Sequence, residues 1–156
     1  MESTHISGRD SFEQVLAAEG ALVVFETREP DVLVEQFRLQ ARRSGQAVYY
    51  WSDATGLVSL REGSVSVPGC QRFADALRYM LQSMHFGIYL VDGIQAPIAD
   101  VELRLLRQLV KARTNHVRRV VLMTEDPDLS SSLEGAVTIR QRDRVQFRLR
   151  DGRWVR

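Results

Sequence analysis

The chain has 156 residues, 44% of them hydrophobic and 26% charged, which is ordinary globular composition at the size of one domain and short for two cores. Its 21 basic and 20 acidic residues leave a net charge of +1, so no global field draws it to nucleic acid or to a membrane surface. The single cysteine, Cys70, excludes an internal disulfide and a thiolate metal cage, and fits a reducing, cytoplasmic compartment.

Met1 to Arg9 is polar and lacks the apolar stretch of a signal peptide, and no apolar run approaches a membrane span. Residues 1–10 are expected to form a flexible tail and residues 11–156 a single domain. Ser11 and Gln14 suggest a capping box opening a short helix that buries Phe12, Val15 and Leu16 before Gly20. Ala21 to Phe25 is continuously apolar, as a central strand covered on both faces must be. Pro30 suits the first turn of the next helix, Leu33, Phe37 and Ala41 follow at helical spacing, and Gly45 stands where a left-handed C-terminal residue is wanted.

A second strand is read at Ala47 to Trp51 and a short one around Leu57, Val58 and Leu60, with Gly63 to Gly69 as loop or sheet edge. Phe73, Ala76, Leu77, Met80, Leu81 and Met84 keep helical register, which predicts one helix with both methionines in the core. The strand Gly87 to Val91 ends in Asp92-Gly93. Pro97 is expected to open a long helix that carries Ile98, Val101, Leu105, Leu109 and Ala112 on its apolar side and Arg104, Arg107, Lys111 and Arg113 on the other.

Val120 to Met123 is a further buried strand, followed by a helical turn at Leu129 to Leu133 and a strand at Val137 to Ile139. Val145, Phe147 and Leu149 alternate with polar residues before Asp151-Gly152, which predicts a terminal hairpin. Strands alternating with helices indicate an α/β fold: a mostly parallel central sheet flanked by helices, with the C-terminal hairpin as an antiparallel edge.

In such sheets ligands gather beyond the carboxyl ends of the strands. The first strand is followed there by Glu26-Thr27-Arg28-Glu29-Pro30-Asp31, which has neither glycine nor lysine and whose carboxylates repel phosphate. No G-x-x-x-x-G-K-[ST] phosphate-binding motif occurs in these 156 residues. Asp92 sits where a magnesium-linked carboxylate follows a buried strand in P-loop ATPases, and Thr124 where such enzymes place a polar sensor, although Asp92-Gly93 is also ordinary turn chemistry. His5, His85 and His116 are dispersed and lack metal-pair spacing. Cys70 has no orienting base beside it and reads as structural.

Residues 21 to 60, containing ALVVFETREPDVLVEQFRLQARRSGQAVYYWSDATGL, resemble the non-catalytic N-terminal domain of AAA-class ATPases of cyanobacteria, algal plastids and other bacteria. The shared pattern is an apolar strand, a short acidic segment, a helix, and a strand ending in a Trp-Ser pair, here Trp51-Ser52, followed by Gly56-Leu57. It continues more loosely through GIYLVDG and VVLMTEDPDLSSSLEGAVTI. The resemblance implies a RecA-like, P-loop-NTPase-like core without a P-loop, here expected without the ATPase domain that normally follows.

Three functions are open on the residues. A non-enzymatic protein-interaction or regulatory module, without cofactor and with self-association as one form of partnership, leads. Its partner-binding candidates are Arg140, Arg142, Arg148 and Arg150, expected to meet an acidic surface of a protein, although a GC-rich genome also produces arginine bias. A nucleic-acid-binding accessory role would use the same arginine-rich C-terminal hairpin. A small carboxylate-site enzyme would use Glu26, Asp92 and Glu125, with Thr124 beside them, to hold a metal or share a proton.

Overall fold

The computed structural model describes residues 8–61, 63, 65–141, 148–150 and 153–155. The elements in chain order are α1 (Gly8–Ala17), β1 (Leu22–Glu26), α2 (Pro30–Ser44), β2 (Val48–Ser52), β3 (Gly56–Ser59), β4 (Val65–Ser66) and α3 (Phe73–Gln82). They continue with β5 (Gly87–Asp92), α4 (Asp100–Lys111), β6 (Arg118–Thr124), α5 (Pro127–Ser132), β7 (Val137–Arg140), β8 (Arg148–Arg150) and β9 (Arg153–Val155). β1 to β7 form one seven-stranded sheet in the order β4-β3-β2-β5-β6-β1-β7. β2, β5, β6, β1 and β7 run parallel, and β3 and β4 extend the sheet antiparallel beyond β2.

Strand alternation divides the core into two layers. Leu22, Val24, Tyr89, Val91, Val120 and Leu122 face α3, α4 and α5, whereas Val23, Phe25, Ile88, Leu90, Val121 and Met123 face α1 and α2. Both sides of β1, β5 and β6 are therefore apolar, which is why these strands read as unbroken hydrophobic runs. α2 follows its sequence signals closely. Pro30 lies in its first turn, Leu33, Phe37 and Ala41 are buried, and Gly45 at φ 75° closes it with an N–H donated to the Ala41 carbonyl at 2.8 Å.

Gly87 owes its identity to packing rather than to backbone freedom, since a Cβ there would meet the Tyr89 hydroxyl at 2.8 Å. The Tyr89 ring stacks on Tyr49 at 4.8 Å, and burial pushes its phenol up to about 12. A phenol kept neutral by the fold stabilises below the unfolded pKa of about 10 and loses that contribution as pH rises toward the folded value. We predict that stability to urea falls by about 2 kcal/mol between pH 10 and pH 12 through this group, and that Tyr89→Phe removes that part of the slope. An unchanged slope in the variant would assign the alkaline loss elsewhere.

Several expectations are corrected. The capping box at Ser11 is not formed: α1 already begins at Gly8, and Ser11 lies inside it, fully buried, with a hydroxyl that has no partner among the described residues. α3 ends at Gln82, so Met84 falls beyond the helix and is 78% exposed, while Met80 is buried. α4 starts at Asp100 and not at Pro97, and its buried face is Leu105, Leu106 and Leu109, with Val101 in the first turn and Ala112 at the C-cap both exposed. The terminal hairpin does form as β8–β9, with Arg148 opposite Val155 and Arg150 opposite Arg153, but it is a separate two-stranded ladder, and β7 is the edge of the main sheet. Val145 and Phe147 lie outside the described residues. Among the described residues no helix is long and apolar enough to cross a membrane.

Candidate functional site: the carboxyl end of the sheet

The chain order of the strands fixes where a ligand cleft must open. β1 passes through α2 on one face of the sheet, while its neighbour β6 passes through α5 on the other, so the connections diverge at the carboxyl ends of β1 and β6. A cleft of ≈ 340 Å³ lies there, with Thr27, Asp92, Thr124 and Glu125 in its wall.

The connection from β1 to α2 is only residues 27–29, followed at once by Pro30. A helix N-terminus binds anions through unpaired N–H groups. Here the first helical residue has no N–H, and the carboxylates of Glu29 and Asp31 flank the turn. The short loop is also closed on itself. The Thr27 hydroxyl donates to the Gln141 side-chain carbonyl and accepts the Glu29 N–H at 3.0 Å, and the Thr27 N–H donates to the Thr124 carbonyl at 2.9 Å.

Of the side chains singled out by sequence, Glu26, Asp92 and Thr124 are each held by a structural partner. Glu26 accepts from Arg140 Nε at 2.8 Å and from the Ser130 hydroxyl at 3.3 Å, and the Thr138 hydroxyl donates in turn to Ser130 at 3.2 Å. Asp92 accepts from the Tyr50 hydroxyl at 3.2 Å. The Tyr50 phenol is raised, first by burial and then by the Asp92 charge. Thr124 is buried, and its hydroxyl accepts the Asp126 N–H at 2.9 Å, while Asp126 caps α5 through the Asp128 N–H. Glu125 is exposed.

Glu26 and Asp92 do not converge. By strand alternation Glu26 points to the α5 face with Val24, whereas Asp92 points to the α2 face with Leu90. That separation corrects the carboxylate-site reading of Glu26, Asp92 and Glu125. Among the described residues no group of three potential metal ligands is close enough to hold an ion. Cys70 is buried behind the Trp51 indole, which donates to the Cys70 carbonyl at 3.2 Å, and burial holds its thiol above the usual range, with Asp75 adding to the shift.

Of the partner-binding candidates, Arg140 is on β7, 74% exposed and already paired with Glu26. Arg142 lies outside the described residues. Arg148 and Arg150 occupy alternate positions of β8, which among the described residues pairs with β9 and not with the main sheet.

Sequence reading missed two consecutive arginines that tie the layers together. Arg118, 3% exposed, donates through Nη1 to the carbonyls of Met80 and Leu81 at the end of α3. Arg119, pointing the other way, donates to the carbonyls of Val15 and Leu16 at the end of α1. A charged pair opening a buried strand was the available signal, since such side chains can only reach helix ends.

No curated protein and no solved structure matches the chain. A family model described as the SpoVK-like AAA ATPase N-terminal domain matches residues 8–141. That span takes in the parallel sheet, both helical layers and the closed loop after β1, and the chain belongs to the SpoVK-like AAA ATPase N-terminal domain family.

Proposed function

We propose that this domain is a non-enzymatic interaction module that takes up no nucleotide and docks on a protein partner. The observation that carries the reading is the connection after β1, three residues long, ending in Pro30 and clamped to Gln141. Adding glycines and a lysine by substitution could not make it a phosphate cradle, because a loop of that kind needs more chain to wrap around the phosphates. Asp92 and Thr124, at positions that carry chemistry in P-loop ATPases, and Glu26 at the end of β1 serve here as hydrogen-bonding partners of Tyr50, the α5 cap and Arg140.

The arginines of the C-terminal hairpin suit a partner with an acidic surface. Arg148→Glu with Arg150→Glu is expected to leave the circular dichroism spectrum and melting temperature within error, and to weaken capture of the co-purifying protein about tenfold. Undiminished capture by the folded variant would remove the hairpin from the interface. Steeply salt-dependent binding of random-sequence DNA by the wild type would instead support the nucleic-acid reading.

A further inference from the structure

The crossover helices α2 to α5 run antiparallel to the parallel strands, so their N-termini gather at the carboxyl end of the sheet and their C-termini at the amino end. α2 and α4 each carry acidic residues in the first turn and basic ones in the last, as the helix dipole favours. Summed over the domain, the near-neutral net charge hides two charged ends. Glu29, Asp31, Glu125 and Asp128 are exposed around the switch-point cleft, against the exposed cations Arg28, Arg72 and Arg140 at the same end, the last paired with Glu26. Arg42, Arg43, Lys111 and Arg113 are exposed at the opposite end, and Lys111 and Arg113 border a depression of ≈ 710 Å³ that also takes in His116 and the exposed carboxylate of Glu19.

Glu29, Asp31, Glu125 and Asp128 at one end and Arg42, Arg43, Lys111 and Arg113 at the other are in no salt bridge among the described residues. The two ends are too far apart to neutralise each other. α4, with 12 residues, spans about 18 Å, roughly twice the Debye length of about 8 Å at physiological salt. The surface that complements the basic end in sign is therefore the acidic end of another molecule.

We propose that copies of this domain associate head to tail, the acidic carboxyl end of one sheet docking on the basic amino end of the next. Because the two surfaces differ, the contact is heterologous: every open complex leaves one acidic and one basic end free, and assembly extends unless it closes into a ring. The proposal rests on the reading of the domain as an interaction module, and supplies a second copy as its partner.

The test uses neutralising substitutions at exposed positions, which normally change stability by about half a kcal/mol or less. One variant carries Lys111→Ala and Arg113→Ala, the other Glu29→Gln and Glu125→Gln. Sedimentation velocity of the wild type at low salt should show concentration-dependent species larger than a dimer that dissociate in 0.5 M salt. Each variant alone should associate about tenfold more weakly or not at all. An equimolar mixture should give a one-to-one complex that grows no further, since only the intact acidic end of the first variant and the intact basic end of the second remain.

A wild type monomeric at all concentrations, association unchanged in either variant, or a mixture that stays monomeric overturns the proposal. None of these outcomes touches the interaction-module reading, which falls instead on saturable nucleotide binding.

Discussion

Phe37→Ala is expected to lower the stability of this domain by about 4 kcal/mol, the scale for deleting a buried aromatic ring. Phe37 is fully buried on α2, in the layer formed with Val23, Phe25 and Met123, and meets Phe12 of α1 edge-to-face with ring centroids at 5.3 Å. The loss therefore has two parts: the cavity beneath α2, and the aromatic contact that fastens α1 to α2. At about 2–4 °C per kcal/mol for a chain of this size, the melting temperature should drop by roughly 10 °C. Phe12→Ala should cost less, because it empties the outer side of the contact. The double variant should fall short of the sum by about 0.5–1.5 kcal/mol, the coupling expected of an aromatic pair. Strict additivity would show that α1 packs without using the ring contact.

Arg118→Met should cost about 2–3 kcal/mol, and Arg119→Met about half of that. Both side chains cap helix ends, but Arg118 is buried and Arg119 only half-buried. Methionine fills much of the space left by the arginine stem, so the difference from wild type reports mainly on the loss of the Arg118 donor to the Leu81 carbonyl and to the Met80 carbonyl, the latter keeping the Ser83 N–H at 3.4 Å. Burial also lowers the Arg118 pKa, so part of what the hydrogen bonds contribute offsets desolvation of the guanidinium. Hydrogen exchange separates the two sites: Arg118→Met should accelerate exchange in the last turn of α3, and Arg119→Met in the last turn of α1. Equal acceleration of both helices by either variant would contradict the assignment of one arginine to each layer.

The layered architecture was legible because its signals are local. Continuous apolar runs marked β1, β5 and β6, and Pro30 and Gly45 bracketed α2 at the positions observed. Where the reading failed, a tertiary contact had overridden a local cue. Ser11 and Gln14 match a cap pattern, yet burial of Phe12 and Val15 against α2 draws the helix back to Gly8. Met84 keeps helical spacing with Met80, but α3 stops at Gln82 and the spacing no longer bears on the fold.

At the candidate site, sequence identified what is missing and where to look, because a phosphate cradle is a contiguous motif. It could not show what fills the place. The clamp from Thr27 to Gln141 and the pair of Glu26 with Arg140 each join residues more than a hundred positions apart, brought together only when β7 pairs with β1. Nor could the spacing of Glu26 and Asp92 along the chain reveal that they face opposite sides of the sheet, which depends on strand phase at their ends.

The central claim is that the switch-point cleft of this domain is not a nucleotide site. Isothermal titration of the protein with ATP and magnesium, paired with a thermal melt in the same buffer, tests it most directly, because a ligand that binds only the folded state must raise stability. The account predicts no saturable heat and a melting temperature unchanged by millimolar ATP. A saturable isotherm accompanied by a rise of several degrees, abolished by Asp92→Ala, would contradict it.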